Sequence, residues 1–319
     1  EIREKVVGTQ NLDYAINLNN LANLYKEIGQ YDKAEMFFLE SIQIKKKILG
    51  IEHSDYASSL NNIGLLYFAR GNLEKAGEYA LEAKAIFKKA NGQNDINFLG
   101  ATINLANVYY LMYNYEKAEF LYLEVIKIFE DRLKNFSHPF YSNCLNNLAN
   151  LYKDEYKFEK AEKLYLQSAE LVINNFGANH EDYAIRLSNM ASLYMNLGNY
   201  KKAESLYLNS KDIYEAKYGK VHPDYISILH NLAILYKKLA NFEKAELLFI
   251  ESKTLREQAL GKEHVDYSSS LNSLANLYMK LGDFEKAEQL YLESKTIREI
   301  VLGKEHPEYA TSLDNLAIL

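Results

Sequence analysis

The chain has 319 residues, a hydrophobic share of 48% and a formal net charge of −6 at pH 7. This acidic balance disfavours nucleic acid as the main partner, because nucleic-acid binders concentrate lysine and arginine on one face. The single cysteine, Cys144, excludes an internal disulfide framework and is typical of a reducing compartment. No apolar run approaches the roughly 18 residues of a membrane span, and the start carries no signal-peptide pattern. We therefore expect a soluble, cytoplasmic protein.

From Asp13 onward the sequence repeats with a fixed period. Residues 13–34 read DYAINLNNLANLYKEIGQYDKA, and close or looser copies follow along the rest of the chain. Such a period indicates stacked supersecondary units, each burying its apolar face only against its neighbours, and favours binding over catalysis. One aromatic column marks six steps of 42 residues and one of 43: Tyr14, Tyr56, Phe98, Tyr141, Tyr183, Tyr225, Tyr267 and Tyr309.

The aromatic column divides the chain into seven full repeats and a partial eighth. Residues 1–12 are predicted to hold the end of a preceding repeat's second helix and its loop, because IREKVVG at 2–8 matches IREIVLG at 297–303. Residues 308–319 start the eighth repeat, so we expect the chain to be a piece of a longer protein. The full repeats are residues 13–54, 55–96, 97–139, 140–181, 182–223, 224–265 and 266–307.

Each repeat has the pattern of two amphipathic helices joined by a turn. In the first repeat Leu18, Leu21, Ala22 and Tyr25 share one face at helical spacing, and Ala34, Phe38 and Ile42 do so further on. Glycine suits the left-handed conformation at the end of a helix. The predicted turn glycines are Gly29, Gly71, Gly198 and Gly282.

All three prolines of the chain fall at one repeat position, at the predicted start of a first helix: Pro139, Pro223 and Pro307. Proline is tolerated at the first helical position, so the residue before it is the predicted N-cap. Two helix layers, each roughly 8–10 Å thick, separate one cap from the next. The ligands of a zinc ion each lie about 2 Å from the metal, so neighbouring caps are too far apart to share one. We therefore expect caps and no metal site. The cap column is Asn11, His53, Asp95, His138, His180, His222, His264 and His306.

The spacing Leu18-x2-Leu21-Ala22-x2-Tyr25, followed by Ala34-x3-Phe38, resembles the tetratricopeptide repeat. Leucine replaces the usual tryptophan, and Lys46 stands where a proline would close the second helix. This longer form, with LNNLANLY at 18–25 and LGKEHPEYA at 302–310, resembles the repeats of kinesin light chains and their bacterial relatives over essentially the whole chain. The resemblance implies an all-α fold, a right-handed α-α superhelix or solenoid.

Asparagine dominates the face of the first helices opposite the buried stripe. The resemblance implies that this face lines a concave groove, and that its asparagines contact peptides as in kinesin light chains. A carboxamide can bond both the N–H and the C=O of an extended peptide. Compositional bias and hydrogen bonds between adjacent helices are the alternatives. The predicted partner-binding asparagines are Asn19, Asn20, Asn23, Asn61, Asn62, Asn104, Asn107, Asn146, Asn147, Asn150, Asn189, Asn231, Asn272 and Asn276.

Four further groove residues join the predicted partner-binding set. Lys26, Lys153 and Lys237 add sparse positive charge that suits a partner with a few acids, and Tyr110 could take an apolar anchor.

The middle of the array is irregular. Residues 91–98 depart from the loop pattern, Tyr113 and Tyr156 replace turn glycines, and one residue is inserted between Glu130 and His138. A bend or a specialised contact is one explanation, and drift at exposed turns is the other.

The function predicted from these patterns is a protein-interaction scaffold that binds a peptide segment or partner helix. The alternative is a regulatory arm of a larger protein, resembling the repeats attached to bacterial caspase-like peptidases and signalling NTPases, in which partner binding controls an activity elsewhere in the chain. In either case the predicted partner is a protein or peptide, and another domain of the same full-length protein is one candidate. No Gly-rich phosphate loop and no HExxH motif occurs. We therefore predict no enzyme activity, no cofactor, no metal and no membrane partner.

Overall fold

The computed structural model describes residues 11–319, and every regular element in that part of the chain is a helix. Odd-numbered helices are the first helices of the repeats, and even-numbered ones are the second helices. The second-helix end predicted at residues 2–8 lies outside the described residues. The helices are α1 (Leu12–Glu27), α2 (Tyr31–Leu49), α3 (Ser54–Ala69), α4 (Leu73–Asn91), α5 (Ile96–Leu111), α6 (Tyr115–Ile128), α7 (Pro139–Asp154), α8 (Phe158–Phe176), α9 (Glu181–Asn196), α10 (Tyr200–Tyr218), α11 (Pro223–Lys238), α12 (Phe242–Leu260), α13 (Val265–Leu281), α14 (Phe284–Leu302) and α15 (Pro307–Ile318).

The chain divides into an N-terminal block, Glu1–Leu171, and a C-terminal block, Val172–Leu319, with the division inside α8. In the N-terminal block each helix from α1 to α7 packs on the next one along the chain. The first helices of this block also touch each other, α1 with α3, α3 with α5 and α5 with α7. In the C-terminal block the helices from α9 to α15 pack consecutively in the same way. First helices are therefore neighbours along one side of the N-terminal block.

Aromatic side chains form much of the core of each block. Phe98 and Tyr141 of the aromatic column are buried, and so are Phe38, Tyr122 and Tyr165 on the second helices. Burying a large apolar side chain stabilises a fold by roughly 1.5–3 kcal/mol. The predicted apolar stripes are confirmed as the packing faces of the repeats, except at Leu21, which is 37% exposed although the same position is buried as Ile63 and Leu105 in the next two repeats.

The predicted helix caps are confirmed. The Nδ1 atom of each column histidine accepts the backbone N–H two residues further on; the distance is 3.1 Å for His53 and His138, and 3.3 Å for His222. Asn11 and Asp95 cap α1 and α5 with their side-chain oxygens. Among the residues that the structure describes, no group of His, Cys, Asp or Glu side chains could hold a metal ion. The histidines therefore have a structural role.

The turns inside the repeats are left-handed, as predicted for glycine. Gly29 has φ 74° and Gly71 has φ 77°, but Tyr113 and Tyr156 take the same conformation at φ 58° and 61° with their side chains 80% exposed. Left-handed backbone costs a non-glycine residue roughly 1–2 kcal/mol. The predicted insertion forms a π-helical turn, Phe129–Leu133, directly after α6.

Buried serines join the two helices of one repeat. The Ser41 hydroxyl donates to the carbonyl of Ala15 at 2.7 Å, and Ser168 donates to the carbonyl of Ser142 at 2.7 Å. Each hydroxyl is fully buried, so this bond satisfies a donor that would otherwise be costly to bury. None of the helices described here is both long and apolar enough to cross a membrane.

Candidate functional site

The predicted partner-binding asparagines lie on first helices and are mostly half-buried. Asn20 is exposed, whereas Asn146 is only 5% exposed. A half-buried carboxamide is held by its neighbours and still reaches solvent, so it suits both a structural bond and a ligand contact. The first helices of the N-terminal block are α1, α3, α5 and α7.

Carboxamides of consecutive first helices hydrogen-bond to each other. Asn62 Nδ2 on α3 donates to Asn19 Oδ1 on α1 at 3.3 Å, and Asn104 Nδ2 on α5 donates to Asn61 Oδ1 at 2.9 Å. In each bond the donor asparagine uses one of its two N–H groups, and the acceptor asparagine uses one of the two lone pairs on its oxygen. The helix ties considered in the sequence analysis therefore exist, and they leave part of each carboxamide's bonding capacity unused.

The pattern of ties changes at α5, where Ile103 takes the place of the asparagine. Ile103 is 7% exposed and offers no acceptor, so Asn147 Nδ2 on α7 donates instead to Asn107 Oδ1 at 3.0 Å. Asn146 Nδ2 lies 3.4 Å from Asn147 Oδ1. The mostly buried Asn146 therefore contributes to the site by bonding to its neighbour.

A third set of asparagines is oriented by tyrosines of the second helices. Tyr122 Oη donates to Asn107 Oδ1 at 2.6 Å, and Tyr165 Oη donates to Asn150 Oδ1. Burial raises the pKa of Tyr122, so its hydroxyl stays protonated and donates. Because Asn107 Oδ1 accepts two bonds, the capacity left on this side chain is its pair of N–H donors. These two N–H groups are the atoms of Asn107 that remain available for a further hydrogen bond.

The tyrosine–asparagine pairing is visible in the sequence, because the residues at the two repeat positions change together. Where the second helix has Ala80 or Phe249 in place of tyrosine, the matching first-helix position holds Leu65 or Ile234. Asn23 departs from this rule, since its matching residue is Phe38, which has no hydroxyl. A column-by-column comparison of the two helices would have revealed the pairing.

Two adjoining cavities open on the first helices of the N-terminal block. The larger, of about 560 Å³, is lined by the first helices α3, α5 and α7 and by Phe87 of α4, and the smaller, of about 190 Å³, shares Asn107 and Asn147 with it. Predicted residues that line one or both cavities are Asn61, Asn62, Asn104, Asn107, Tyr110, Asn147 and Asn150. Residues that line the larger cavity but are absent from the predicted partner-binding set include Ser58, Leu65, Phe87, Asn97, Gly100, Ile103 and Phe140.

The lining of both cavities carries no ionised side chain within the described residues. Tyr110 Oη donates to Asp154, and burial followed by this carboxylate raises the pKa of Tyr110, which keeps the phenol neutral. The arrangement offers amide donors and acceptors beside apolar surface. Such a surface suits an uncharged stretch of polypeptide with unpaired backbone groups.

The predicted basic residues lie outside both cavities. Lys26 Nζ is 3.1 Å from the Glu27 carboxylate, and Lys153 Nζ is 3.5 Å from that of Asp154, so both charges are balanced locally. In the C-terminal block, burial and then the nearby lysines 280 and 238 lower the pKa of Lys237.

The C-terminal block carries a different set of residues on its first helices. His230 holds the repeat position that Asn19 and Asn61 hold in the first two repeats, and its Nε2 lies 3.3 Å from Ser273 Oγ. A carboxamide tie is also present in this block, where Asn315 Nδ2 donates to Asn272 Oδ1 at 2.7 Å. Tyr291 Oη donates to Asn276 Oδ1 at 2.6 Å, and the predicted Asn189 and Asn231 are half-buried.

Two family models described as tetratricopeptide repeat match the chain. One matches residues 55–131, 99–174 and 184–258, and the other matches residues 18–55 and 268–308. Comparison with curated protein sequences gives no match.

Solved structures similar to this chain are also helical-repeat proteins. BtubC (BKLC) from P. vanneervenii has a TM-score of 0.57 at 21% identity over 75% of this chain and 94% of its own. NprR in complex with its cognate peptide NprX has a TM-score of 0.59 at 21% identity, covering 99% and 83%. Rap protein complexed with Competence and Sporulation Factor has a TM-score of 0.58 at 14% identity, covering 97% and 98%. These likenesses confirm the all-α helical-repeat fold class.

Proposed function

Because the chain belongs to the tetratricopeptide repeat family, we propose that it binds an extended segment of a protein or peptide along α3, α5 and α7. The observation that carries this proposal is the pair of adjoining cavities that share Asn107 and Asn147. NprR, which has a similar fold, was solved with a peptide. The fold is typical of interaction scaffolds, which work through extended binding surfaces.

The asparagines are proposed to bind the backbone of the segment, and the apolar lining its side chains. An extended backbone presents an unpaired N–H and C=O at every residue, and leaving such groups unpaired on binding costs roughly 1–3 kcal/mol each. Asn107, with both lone pairs of its oxygen in use, is proposed to donate to a carbonyl. Asn61, Asn104 and Asn147 are proposed to contact the segment with the atoms that their ties leave unused.

The remaining predicted residues keep a supporting place in this proposal. Asn146 is proposed to hold Asn147, because it is nearly buried and adjoins that side chain. The predicted residues of the first repeat, with Lys153 of the fourth, are proposed to extend the contact within the N-terminal block if the segment is long. The predicted residues of the C-terminal block are proposed to contact a partner within that block: Asn189, Asn231, Lys237, Asn272 and Asn276. A regulatory arm in a larger protein, the alternative from the sequence, would use the same groove.

A peptide selection tests the proposal. The immobilised chain is used to select ligands from a phage-displayed library of short linear peptides, and synthetic copies are titrated by fluorescence anisotropy. The blocking variant is Ser58→Trp, because Ser58 lines the larger cavity and its hydroxyl bonds only the carbonyl of Ser54 in its own helix, at 3.0 Å. The indole fills the cavity and removes no tie between helices.

The matched control is Ser227→Trp. Ser227 holds the same position on α11 and makes the same kind of bond, to the Pro223 carbonyl at 2.9 Å, but it does not line the cavity. We expect Ser58→Trp to weaken selected peptides by about tenfold or more and Ser227→Trp to leave their Kd unchanged. Equal affinity for wild type and Ser58→Trp, or a selection without ligands, would contradict the proposal.

A further inference from the structure

One column of the repeat loses its charge at the larger cavity. Two residues after the helix cap, six of the eight repeats carry an acid, but repeats three and four carry Asn97 and Phe140. Both of these residues line the 560 Å³ cavity. The acids of the column are Asp13, Asp55, Asp182, Asp224, Asp266 and Glu308. The chain has therefore replaced an acidic position by an amide and an aromatic ring where the cavity opens.

Phe140 is held in place by a glycine on the neighbouring first helix. A Cβ atom at Gly100 would lie 3.1 Å from Phe140 Cε2 and 3.4 Å from Cζ, so the ring rests directly on the backbone of α5. On its other side the ring meets the His138 imidazole edge to face, with centroids 4.9 Å apart. Phe140 is therefore a fixed wall of the cavity, and its position depends on the missing side chain at Gly100.

Apolar residues complete this end of the cavity, at the starts of α5 and α7. Ile103, which interrupts the asparagine ties, lines the cavity together with Phe87 of the second helix α4. Asn107 and Asn147 also line the cavity and lie further along α5 and α7, and Leu65 of α3 holds the same repeat position as Asn107. The cavity thus has an apolar end near the helix starts and an amide end further along the helices.

The apolar end also lacks a titrating group that would charge it near neutral pH. His138 is the ionisable residue beside Phe140, and burial lowers its pKa below the ordinary value of 6.5. Moving a charged side chain into such surroundings without a counter-ion is unfavourable, because the charge loses its hydration. A charge of either sign on the ligand is therefore unfavourable at this end.

We propose that Gly100, Ile103 and Phe140 form the specificity pocket of the groove, which accepts one uncharged aliphatic or aromatic side chain of the bound segment and rejects acidic and basic ones. This inference rests on the proposed function of the groove. It assigns to the amide end the recognition of any backbone, and to the apolar end the choice among sequences.

The peptides selected as described above provide the test. We expect them to share one apolar position, and a peptide with Asp or Lys at that position to bind about tenfold or more weakly. The variant Phe140→Asp restores the acid of the other repeats, at a helix start where an acid is favourable. It should weaken the selected peptides by a similar factor and recover affinity for the Lys-substituted peptide.

Three further variants separate the pocket from a general loss of structure. Phe140→Leu keeps the wall apolar and should retain binding within about threefold. Gly100→Ser, which copies Ser58 and Ser227, displaces the ring and should weaken peptides with an aromatic anchor more than those with alanine there. Asp266→Phe makes the reverse exchange in another repeat, away from the cavity, and should change nothing.

The outcomes distinguish the two proposals. Peptides that Ser58→Trp blocks but that tolerate Asp and Lys at every position would overturn the pocket and leave the groove intact. The same holds if Phe140→Asp, folded by circular dichroism, binds the selected peptides with unchanged Kd. Peptides that Ser58→Trp does not affect would overturn the groove and the pocket together.

Discussion

Two junctions between repeats in the N-terminal block and two in the C-terminal block carry different side chains at the same repeat position. In the N-terminal pair Phe87 on α4 and Phe129 in the π-helical turn after α6 occupy it, at 2% and 0% exposure. In the C-terminal block Arg256 and Arg298 occupy it, and each guanidinium donates to a serine hydroxyl of the next first helix, at 2.6 Å and 3.0 Å. The position accepts an apolar or a cationic side chain, provided that the facing residue changes with it.

Other repeats support this reading of the junction. Lys45, in the N-terminal block, is also buried and donates to Ser59 Oγ at 2.8 Å, so the choice belongs to each pair of residues and not to the block. Opposite the phenylalanines, the serine position holds Ala101 and Cys144, which are buried and apolar. A buried cation is tolerated only where oxygen acceptors face it, because an unpaired buried charge is costly.

The first-helix faces of the two blocks differ as well. Both blocks have carboxamide ties, but the two adjoining cavities lie in the N-terminal block, and in the C-terminal block His230 takes the place of an asparagine and pairs with Ser273. Burial, followed by the charges of Arg256 and Lys237, lowers the pKa of His230 to about 4. The cationic junction therefore affects a titrating group on the first-helix side.

The largest effect is expected from removing a junction guanidinium. Arg298 is 4% exposed and donates to Ser268 Oγ, Ser312 Oγ and the Glu308 carbonyl, at 3.0–3.1 Å. Arg298→Ala leaves these buried oxygens without their donor and should destabilise α14 and α15 by about 3 kcal/mol. Hydrogen exchange of the amides of these two helices measures the loss.

Arg298→Lys is the matched control for this prediction. Lys45 shows that a lysine at the junction can reach both the serine hydroxyl and the first-turn carbonyl, at 2.8 Å and 3.3 Å. The lysine variant should therefore lose about 1 kcal/mol, the worth of one hydrogen bond. Equal protection of the α14 and α15 amides from hydrogen exchange in wild type and Arg298→Ala would contradict the prediction. It would show that the guanidinium hydrogen bonds do not stabilise this junction.

A smaller effect is expected from acid at His230. The folded-state pKa lies below the ordinary value of 6.5, so the neutral form is favoured in the fold. This contribution is fully present above pH 6.5 and is lost as the pH falls toward 4. It amounts to about 2–3 kcal/mol.

The variant His230→Asn restores the carboxamide of the column and removes this titration. Urea unfolding of both proteins near neutral pH and near pH 4 should show wild type losing about 2–3 kcal/mol more than the variant. Equal losses of unfolding free energy in the two proteins would mean that folding does not change the pKa of His230. The titrating histidine would then no longer distinguish the first-helix faces of the two blocks.

The smallest effect is expected at the turns. Ala240 and Tyr113 replace turn glycines in the C-terminal and N-terminal blocks, at φ 57° and 58°. Ala240→Gly should stabilise by about 0.5–1 kcal/mol, because glycine takes this conformation without strain. Tyr113→Gly should gain less, since it also removes the ring contact with Tyr115, at 6.2 Å between centroids. Thermal unfolding of the two variants compares them, and equal gains would show that the exposed ring contributes nothing.

Much of the fold and part of the candidate site could be predicted from residue patterns. The helices, the histidine caps and the left-handed turns follow from local rules of spacing and backbone conformation, and the structure confirms them. The asparagine face was also readable as a column. The direction of its hydrogen bonds was not, because Asn107 and Asn147 are 40 residues apart and meet only when α5 packs on α7.

The sequence by itself determined the repeat, its two helices and the polar character of one face, because these depend on neighbours within one or two turns of chain. Only the tertiary structure decided which asparagines bond to each other and where a cavity opens. The larger cavity depends on Phe140 resting on Gly100, two residues on different helices that have no local reason to be related. Packing across repeats brings them together, and it is there that one repeat becomes different from the next.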